Sequence, residues 1–293
     1  MVQLQTILAA TDFSPDSRYA AERASLLGST LAMKRGVLLH VLEQSWLDSM
    51  KQLISSSDKI QLEITDNATR SLAGLTEELR KLSGFFLEPH VRTGNTLDAI
   101  VEAAPDFDLL VLGARGRHPV RALALGTTSQ RILGKTKRAV LVVKNKPLGP
   151  YQRVLVAVDF SEHSRKALEY SQIIAPQATI FLVHVFEALL EKTLVYGGAS
   201  ENVIRESRVM ARIETEAKLA RFIKEVGVVD PLRLVKVIAQ GHAPSKLPEI
   251  ARKKGADLVI VGKHGKWRIE EFLLGSVTLH ILSQSQCDVL VVK

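Results

Sequence analysis

Short runs of Val, Ile and Leu recur along the chain, separated by longer stretches in which apolar residues have helical spacing. Runs such as LLVL (109–112) and LVIV (258–261) follow an Asp and precede a Gly, which is typical of strands buried in a parallel sheet. Three- and four-residue spacing, as on one face of a helix, is found at Ile64, Ala68, Leu72, Leu75, Leu79 and Leu82, and again at Val209, Ile213, Ala217, Ala220 and Ile223. The alternation predicts five strands and four helices per half, which is a doubly wound α/β domain.

The two halves of the chain repeat one another. The aligned segments are ILAATDFSPDSRYA (7–20) with VLVAVDFSEHSRKA (154–167), DLLVLG (108–113) with DLVIVG (257–262), and AVLVVK (139–144) with DVLVVK (288–293). KNKPLGPYQ (144–152) carries Pro and Gly between two strand patterns, as a linker does. We therefore predict a duplicated domain with boundaries at 1–146 and 151–293.

A glycine motif follows a strand pattern in each half: GARGRHPVRALALGTT (113–128) and GKHGKWRIEEFLLGSV (262–277). Both read Gly-x-x-Gly, nine residues, then Gly and a hydroxyl residue. Small residues at a strand end let backbone N–H groups approach an anion, and a helix start favours negative charge. The alternative is purely structural, with Gly ending a strand and Ser or Thr capping a helix. Two matched copies favour two nucleotide sites.

An aspartate closes the first strand of each half. Asp12 and Asp159 are both followed by Phe-Ser, and a carboxylate at this position could accept a hydrogen bond from a nucleobase amino group. The alternative role is to cap the next helix, which the neighbouring serines could do instead. His40 and His184 stand inside apolar runs, which indicates core histidines.

Composition narrows the function classes. The chain has 293 residues and a formal net charge of +8. The charge is spread evenly between the halves, so nucleic-acid binding is not predicted. Polyanion binding stays an alternative because of the basic residues at 115–138. The single cysteine, Cys287, excludes an intramolecular disulfide, and no metal-ligand cluster is predicted. No apolar stretch reaches the roughly 20 residues of a membrane span, and no secretory signal is present, so the cytoplasm is the expected location.

No catalytic motif is recognisable in the sequence. The P-loop pattern Gly-x-x-x-x-Gly-Lys-Ser/Thr, a nucleophile elbow, His-Glu-x-x-His and Cys-x-x-Cys are all absent. Nothing assembles into a general acid and base, so no catalytic residue is predicted and the fast NTPase reaction is excluded.

Taken together, these residues resemble the universal stress protein family, in particular its members with two tandem domains. The shared features are the glycine motif, DFS after the first strand, HV after the second and the closing VLVVK. In that family the glycine motif marks the ATP-binding branch. The resemblance implies a five-stranded parallel sheet of order 3-2-1-4-5 in each domain, as in adenine nucleotide alpha hydrolase-like folds, and pairing of the domains through their last strands.

The resemblance also implies the residues that meet the nucleotide. In the first domain they are Thr11, Asp12, Val41, Gly113, Arg115, Gly116, Gly126, Thr127 and Thr128. In the second they are Val158, Asp159, Val185, Gly262, His264, Gly265, Gly275, Ser276 and Val277. Arg115 stands where the family often has His, so the second copy is closer to the family pattern. If only one site is filled, we expect the second.

We therefore predict a stress-response protein that binds ATP or AMP, with or without Mg²⁺, as a nucleotide-responsive regulator or scaffold. Little or no hydrolysis is expected. Two alternatives are a slow ATPase or adenylate-handling enzyme, and a nucleotide-free scaffold whose glycine motif is only structural. An unidentified protein partner is expected, and the chain is either a monomer or a homodimer.

Overall fold

The structure of the chain is a computed structural model that describes residues 3–53, 57–116, 126–186, 196–227, 230–264 and 274–293. It divides into two compact units. The first comprises residues 1–150 with 287–291 and 293, and the second comprises 151–286 with 292. The domain boundaries predicted from the repeat, 1–146 and 151–293, stay a prediction. Within the described parts of the chain, no helix has the length and hydropathy needed to cross a bilayer.

A parallel sheet forms the centre of the first unit. Its strands are β1 (Thr6–Thr11), β2 (Arg35–Glu43), β3 (Glu88–Gly94), β4 (Leu109–Gly113) and β5 (Ala139–Val143). Their order is β3-β2-β1-β4-β5 and each neighbouring pair is parallel. The predicted order 3-2-1-4-5 is therefore confirmed here. The strand order reverses between β1 and β4, which is where open α/β sheets bind ligands.

Helices cover this sheet. They are α1 (Pro15–Thr30), α2 (Gln44–Leu53), α3 (Ser57–Ser83), α4 (Thr96–Ala103) and α5 (Thr127–Lys135). α1 and α3 pack against each other, and so do α4 and α5. Leu8 and Ala9 point to opposite faces of β1 because successive strand residues alternate, and both are buried. The continuous apolar runs of the sequence therefore reflect strands that are covered on both faces.

The second unit repeats the arrangement. Its strands are β6 (Arg153–Ala157), β7 (Thr179–Phe186), β8 (Leu234–Gln240) and β9 (Leu258–Gly262), and its described helices are α6 (Glu162–Ile174), α7 (Glu201–Val226), α8 (Ala243–Lys254) and α9 (Ser276–Gln284). The strand order is β8-β7-β6-β9, again parallel. The doubly wound α/β class predicted for both halves is confirmed.

The last strand, β10 (Asp288–Val292), lies almost entirely within the first unit. It pairs with β5 in antiparallel orientation, with Leu290 opposite Leu141. Asp288 is buried and accepts a hydrogen bond from the backbone N–H of Lys144 at 2.8 Å. This contact fixes the backbone of the residue that follows β5.

The apolar faces predicted for the two long helices differ in burial. In α3, most of the predicted face is buried, including Leu72 and Leu79, whereas Leu82 at its end is exposed. In α7, the prediction was wrong: the face that contains Val209 and Ile213 is exposed, and the buried residues are Thr215, Leu219 and Phe222. α7 has apolar residues on two sides, and the side that contains Phe222 is the covered one.

Candidate functional site

The first cavity opens at the carboxyl ends of β1 and β4. Its volume is about 480 Å³, within the roughly 300–1,000 Å³ of ligand pockets. All of the residues predicted for the first site line it: Thr11, Asp12, Val41, Gly113, Arg115, Gly116, Gly126, Thr127 and Thr128. The fold thus brings the strand ends, the glycine loop and the helix start into one cavity. Their contact with a nucleotide stays a prediction.

The turn between β1 and α1 holds the Asp12 carboxylate. Oδ1 of Asp12 accepts hydrogen bonds from the Ser14 backbone N–H at 3.0 Å and from the Ser14 hydroxyl at 2.5 Å. Phe13 between them has a φ of 61°, in the left-handed region. Ser14 caps α1, because its Oγ accepts from the N–H of Ser17. The alternative role of Asp12 as the helix cap therefore belongs to Ser14.

A histidine of β2 supports the end of β1. Nδ1 of His40 lies 2.8 Å from the carbonyl oxygen of Thr11, so it donates a hydrogen bond there. The His40 ring also packs against Phe13, with 4.6 Å between the ring centroids. His40 is buried, as predicted. Its apolar neighbours in the sequence gave no sign that it fixes the residue before Asp12.

The glycines of the first motif have distinct roles. A Cβ on Gly113 would stand 2.7 Å from the carbonyl carbon of Asp16, so only glycine lets β4 pass the start of α1. A Cβ on Gly116 would point at Asp12 Oδ2, 3.0 Å away. Gly126 donates its N–H to the carbonyl of Ala114 at 2.8 Å, which closes the loop. Gly113 is therefore a packing glycine, whereas Gly116 leaves open the space in front of the carboxylate.

The start of α5 faces the same cavity. Gly126 is its N-cap, and no side chain caps this end. The hydroxyl of Ser129 instead donates to the carbonyl of Gly113 at 3.0 Å, tying the helix to β4. The first-turn N–H groups and the helix dipole are thus directed at the cavity that Thr127 and Thr128 line.

Two cationic side chains of the first unit, Arg115 and Lys144, are close enough to interact. Arg115 pairs with Asp16 of α1, with 2.9 Å between Nε and Oδ2. Lys144, which follows β5, is largely buried, and burial lowers its pKa to about 8; the charge of Arg115 acts in the same direction, and Cys287 and Asp288 oppose it. Arg115, a cation that lines the cavity, is therefore paired with a carboxylate, which the sequence did not indicate.

Glu43 and Thr96 line the first cavity but were missed by the sequence reasoning. Oε2 of Glu43 accepts hydrogen bonds from the Thr96 N–H at 3.1 Å and from its hydroxyl at 2.6 Å. Glu43 ends β2 and Thr96 begins α4, so the only signal was their position at the carboxyl side of a strand. A second cavity, described next, has Ala243 and Leu247 of α8 in its wall. This part of its wall is therefore more apolar than the part of the first cavity that Glu43 and Thr96 form.

The second cavity lies at the carboxyl ends of β6 and β9 and has a volume of about 430 Å³. The predicted residues that line it are Val158, Asp159, Val185, Gly262, His264, Gly275, Ser276 and Val277. Gly265, also predicted, lies outside the described residues.

The contacts around the second cavity match those of the first. Asp159 Oδ1 accepts from the Ser161 hydroxyl at 2.6 Å, Nδ1 of His184 lies 2.7 Å from the Val158 carbonyl, and Thr278 donates to the Gly262 carbonyl at 2.8 Å. Gly275 is the N-cap of α9, again without a side-chain cap. One local structure is therefore built twice.

The two cavities differ beside the glycine loop. His264 stands at the position of Arg115, and His163 stands at the position of Asp16. The two imidazole rings lie 5.9 Å apart, edge to face. An ion pair in the first unit is thus replaced by a pair of histidines in the second. The sequence predicted the difference between Arg115 and His264, but not the partner that each one meets.

The comparisons with known proteins agree with this architecture. The model of the universal stress protein family matches the chain twice, over residues 3–144 and 150–293. A universal stress protein of Methanocaldococcus jannaschii is 28% identical over 158 residues, which covers 49% of this chain and 95% of that protein. The universal stress protein E homolog of Haemophilus influenzae is 22% identical over 311 residues, which covers 100% of this chain and 98% of that protein.

A solved structure of a universal stress protein from Archaeoglobus fulgidus has the same fold. Its TM-score is 0.64 at 19% identity, with 100% of this chain and 99% of that chain covered. The family match extends over both halves, each of which contains the duplicated strand and helix pattern. The chain belongs to the universal stress protein family and carries two copies of its domain.

Proposed function

We propose that this protein binds ATP or AMP in each of its two cavities and acts in the stress response as a nucleotide-responsive regulator or scaffold in the cytoplasm. The observation that carries the proposal is the matched construction of the cavities. In each, a carboxylate is oriented by the following serine, at 2.5 and 2.6 Å. In each, described glycines of the motif and a helix start without a side-chain cap line the same cavity as that carboxylate.

The chemistry of the lining residues suits an adenine nucleotide. Asp12 and Asp159, which line the two cavities, supply carboxylate acceptors for the amino group of a purine. The starts of α5 and α9 supply N–H donors and a positive dipole end for phosphates. Arg115 adds a cationic donor in the first cavity. A Cβ at Gly116 would stand 3.0 Å from Asp12 Oδ2 and so would crowd the carboxylate.

Hydrolysis is not part of the proposal. Asp12 and Asp159 each accept two hydrogen bonds from the serine two residues later, which orient each carboxylate as a hydrogen-bond acceptor. Occupancy then acts by favouring one conformation over another, which requires different nucleotide affinities in the two states. The same sites would serve the alternative function of a slow ATPase, which predicts steady release of ADP or AMP.

Isothermal titration of the full chain with ATP and AMP tests the proposal. We expect two binding events in the wild-type protein, and loss of one event in each of Gly126→Val and Gly275→Val. Gly275 has a φ of −60°, and a Cβ added there would have no atom closer than 3.4 Å. The fold therefore tolerates a side chain at this position, while the branch blocks the phosphate approach.

An absence of heat with both nucleotides would overturn the proposal in favour of a nucleotide-free scaffold. Unchanged stoichiometry in both glycine variants would show that binding occurs elsewhere. Thermal unfolding of each variant serves as the control for folding. Release of ADP that disappears in Asp159→Ala would establish the slow ATPase instead.

A further inference from the structure

Helix α7 (Glu201–Val226) has an apolar side that is exposed among the described residues of its own unit. The covered side contains Thr215, Leu219 and Phe222, and Phe222 meets the ring of Phe160 edge to face at 5.9 Å. All three lie in the second half of the helix. Residues 201–214 contribute no buried side chain.

The opposite side of α7 carries an apolar stripe, which we call the α7 stripe: Val203, Met210, Ile213, Ala217 and Ala220. Val203 is 45% exposed, Met210 65% and Ile213 54%, and both alanines are exposed as well. The separations of seven, three, four and three residues follow the a and d positions of a heptad repeat, which is the seam by which two helices pack. Exposed apolar side chains so aligned mark an interaction surface.

Two charged residues continue the stripe with the same spacing. Glu206 occupies the d position between Val203 and Met210, and Lys224 occupies the a position after Ala220. Both are exposed. A partner helix must therefore present an apolar centre with a cation near one end and an anion near the other. A second copy of the same helix in antiparallel orientation has this pattern.

We propose that the α7 stripe is a self-association surface through which two copies of this chain form an antiparallel helix pair. Antiparallel pairing places a positions opposite d positions. Glu206 then faces the partner's Lys224, and the large residues Met210 and Ile213 face the partner's Ala220 and the partner's Ala217. Charge and size are complementary in every one of these layers. A parallel pair would place Glu206 against the partner's Glu206, which is repulsive.

The acidic residues beside the stripe are compatible with this arrangement. Glu214 and Glu216 lie near the centre of the pair, where each approaches its own copy. Within the helix, Lys218 forms an ion pair with Glu214 at 2.6 Å, and Arg212 forms one with Glu216 at 3.1 Å. Each carboxylate is therefore neutralised within its own helix, which reduces the repulsion between the two copies. The contact would be confined to one helix of 26 residues, about 39 Å long. We therefore expect a reversible dimer that depends on concentration.

Sedimentation of the full chain from about 1 to about 100 µM tests the surface. We expect the wild-type protein to shift with concentration from 32.3 kDa to twice that mass. Ile213→Asp should remain monomeric over the whole range. Leu62→Asp is the matched control, because Leu62 is 71% exposed on α3 and lies outside the stripe. A wild-type monomer at the highest concentration, or a dimer that survives Ile213→Asp, overturns the proposal.

Charge reversal tests the antiparallel register. Glu206→Lys and Lys224→Glu should each weaken the dimer by about tenfold, because each places like charges opposite one another twice per dimer. The double variant restores the opposite-charge pairs and should dimerise like the wild type. Both positions are exposed, so the circular dichroism of all three variants should match the wild type. A double variant as weak as either single variant overturns the register.

Discussion

The Asp12 carboxylate accepts a hydrogen bond from the Ser14 hydroxyl at 2.5 Å, and the pair recurs as Asp159 and Ser161 at 2.6 Å. In both turns the intervening phenylalanine is left-handed, with φ of 61° and 65°. A backbone outlier of this kind costs about 1–3 kcal/mol and persists where the surroundings impose it. The strained turn directs the carboxylate at the cavity in both units.

The first prediction concerns the carboxylate itself. In the Gly126→Val background, where only the second cavity is expected to bind, Asp159→Ala should weaken ATP and AMP equally, by about tenfold or 1.4 kcal/mol, because one hydrogen bond to a charged acceptor is lost. Titration calorimetry measures both constants. Ser161→Ala, which leaves the carboxylate in place, should have the smaller effect. An ATP-selective loss in Asp159→Ala would place the carboxylate beside the phosphates instead.

The second prediction concerns the ion pair of the first cavity. Asp16 neutralises Arg115 across 2.9 Å, so Asp16→Asn leaves the guanidinium charge available to phosphate. In the Gly275→Val background, we expect ATP affinity to rise about three- to tenfold at low salt, with a smaller gain for AMP and at high salt. Glu88→Gln, a change of the same charge at the start of β3, is the control. Equal gains in ATP affinity in both variants would mean that the effect comes from the net charge of the protein and not from the Arg115–Asp16 pair.

The third prediction separates packing glycines from permissive ones. Gly113→Ala should destabilise the protein by about 1–3 kcal/mol, since its Cβ would meet the backbone of Asp16 at 2.7 Å. Gly74→Ala, on the exposed side of α3 with no atom within 4 Å of the new Cβ, should stabilise it by about 0.5–1 kcal/mol. Urea unfolding measures both. A neutral Gly113→Ala would mean that β4 and α1 separate easily.

The strands and the glycine motifs were predictable because their signals are local. A buried parallel strand requires a continuous apolar run, as at 109–112, and a close approach of strand and helix requires glycine, as at Gly113. The doubled pattern then fixed the fold class. Contacts between distant elements carried no such signal: the Glu43–Thr96 and Arg115–Asp16 pairs join residues 53 and 99 positions apart.

The buried face of α7 was mispredicted for a physical reason. Apolar spacing shows that a helix side can be buried, but α7 has two such sides, and the fold covers only one. Thr215 lies on the covered side and satisfies its hydroxyl by donating to the Ala211 carbonyl at 2.8 Å, so its polarity misled the sequence reasoning. Ile213, on the other side, is then left exposed.

The last prediction uses the lowered pKa of Lys144. Burial holds this pKa at about 8 in the folded protein, against the ordinary 10.5. Between pH 8 and pH 10.5 the unfolded chain therefore binds more protons than the folded protein, so the free energy of unfolding rises with pH in this range. Below pH 8 the buried charge is a constant cost. Lys144→Met removes the group, so its stability relative to wild type should fall by about 2 kcal/mol from pH 7 to pH 10. Urea unfolding across this range measures the difference, with Lys137→Met as the control for an exposed lysine. A difference that is independent of pH would mean that Lys144 titrates as it does in the unfolded chain.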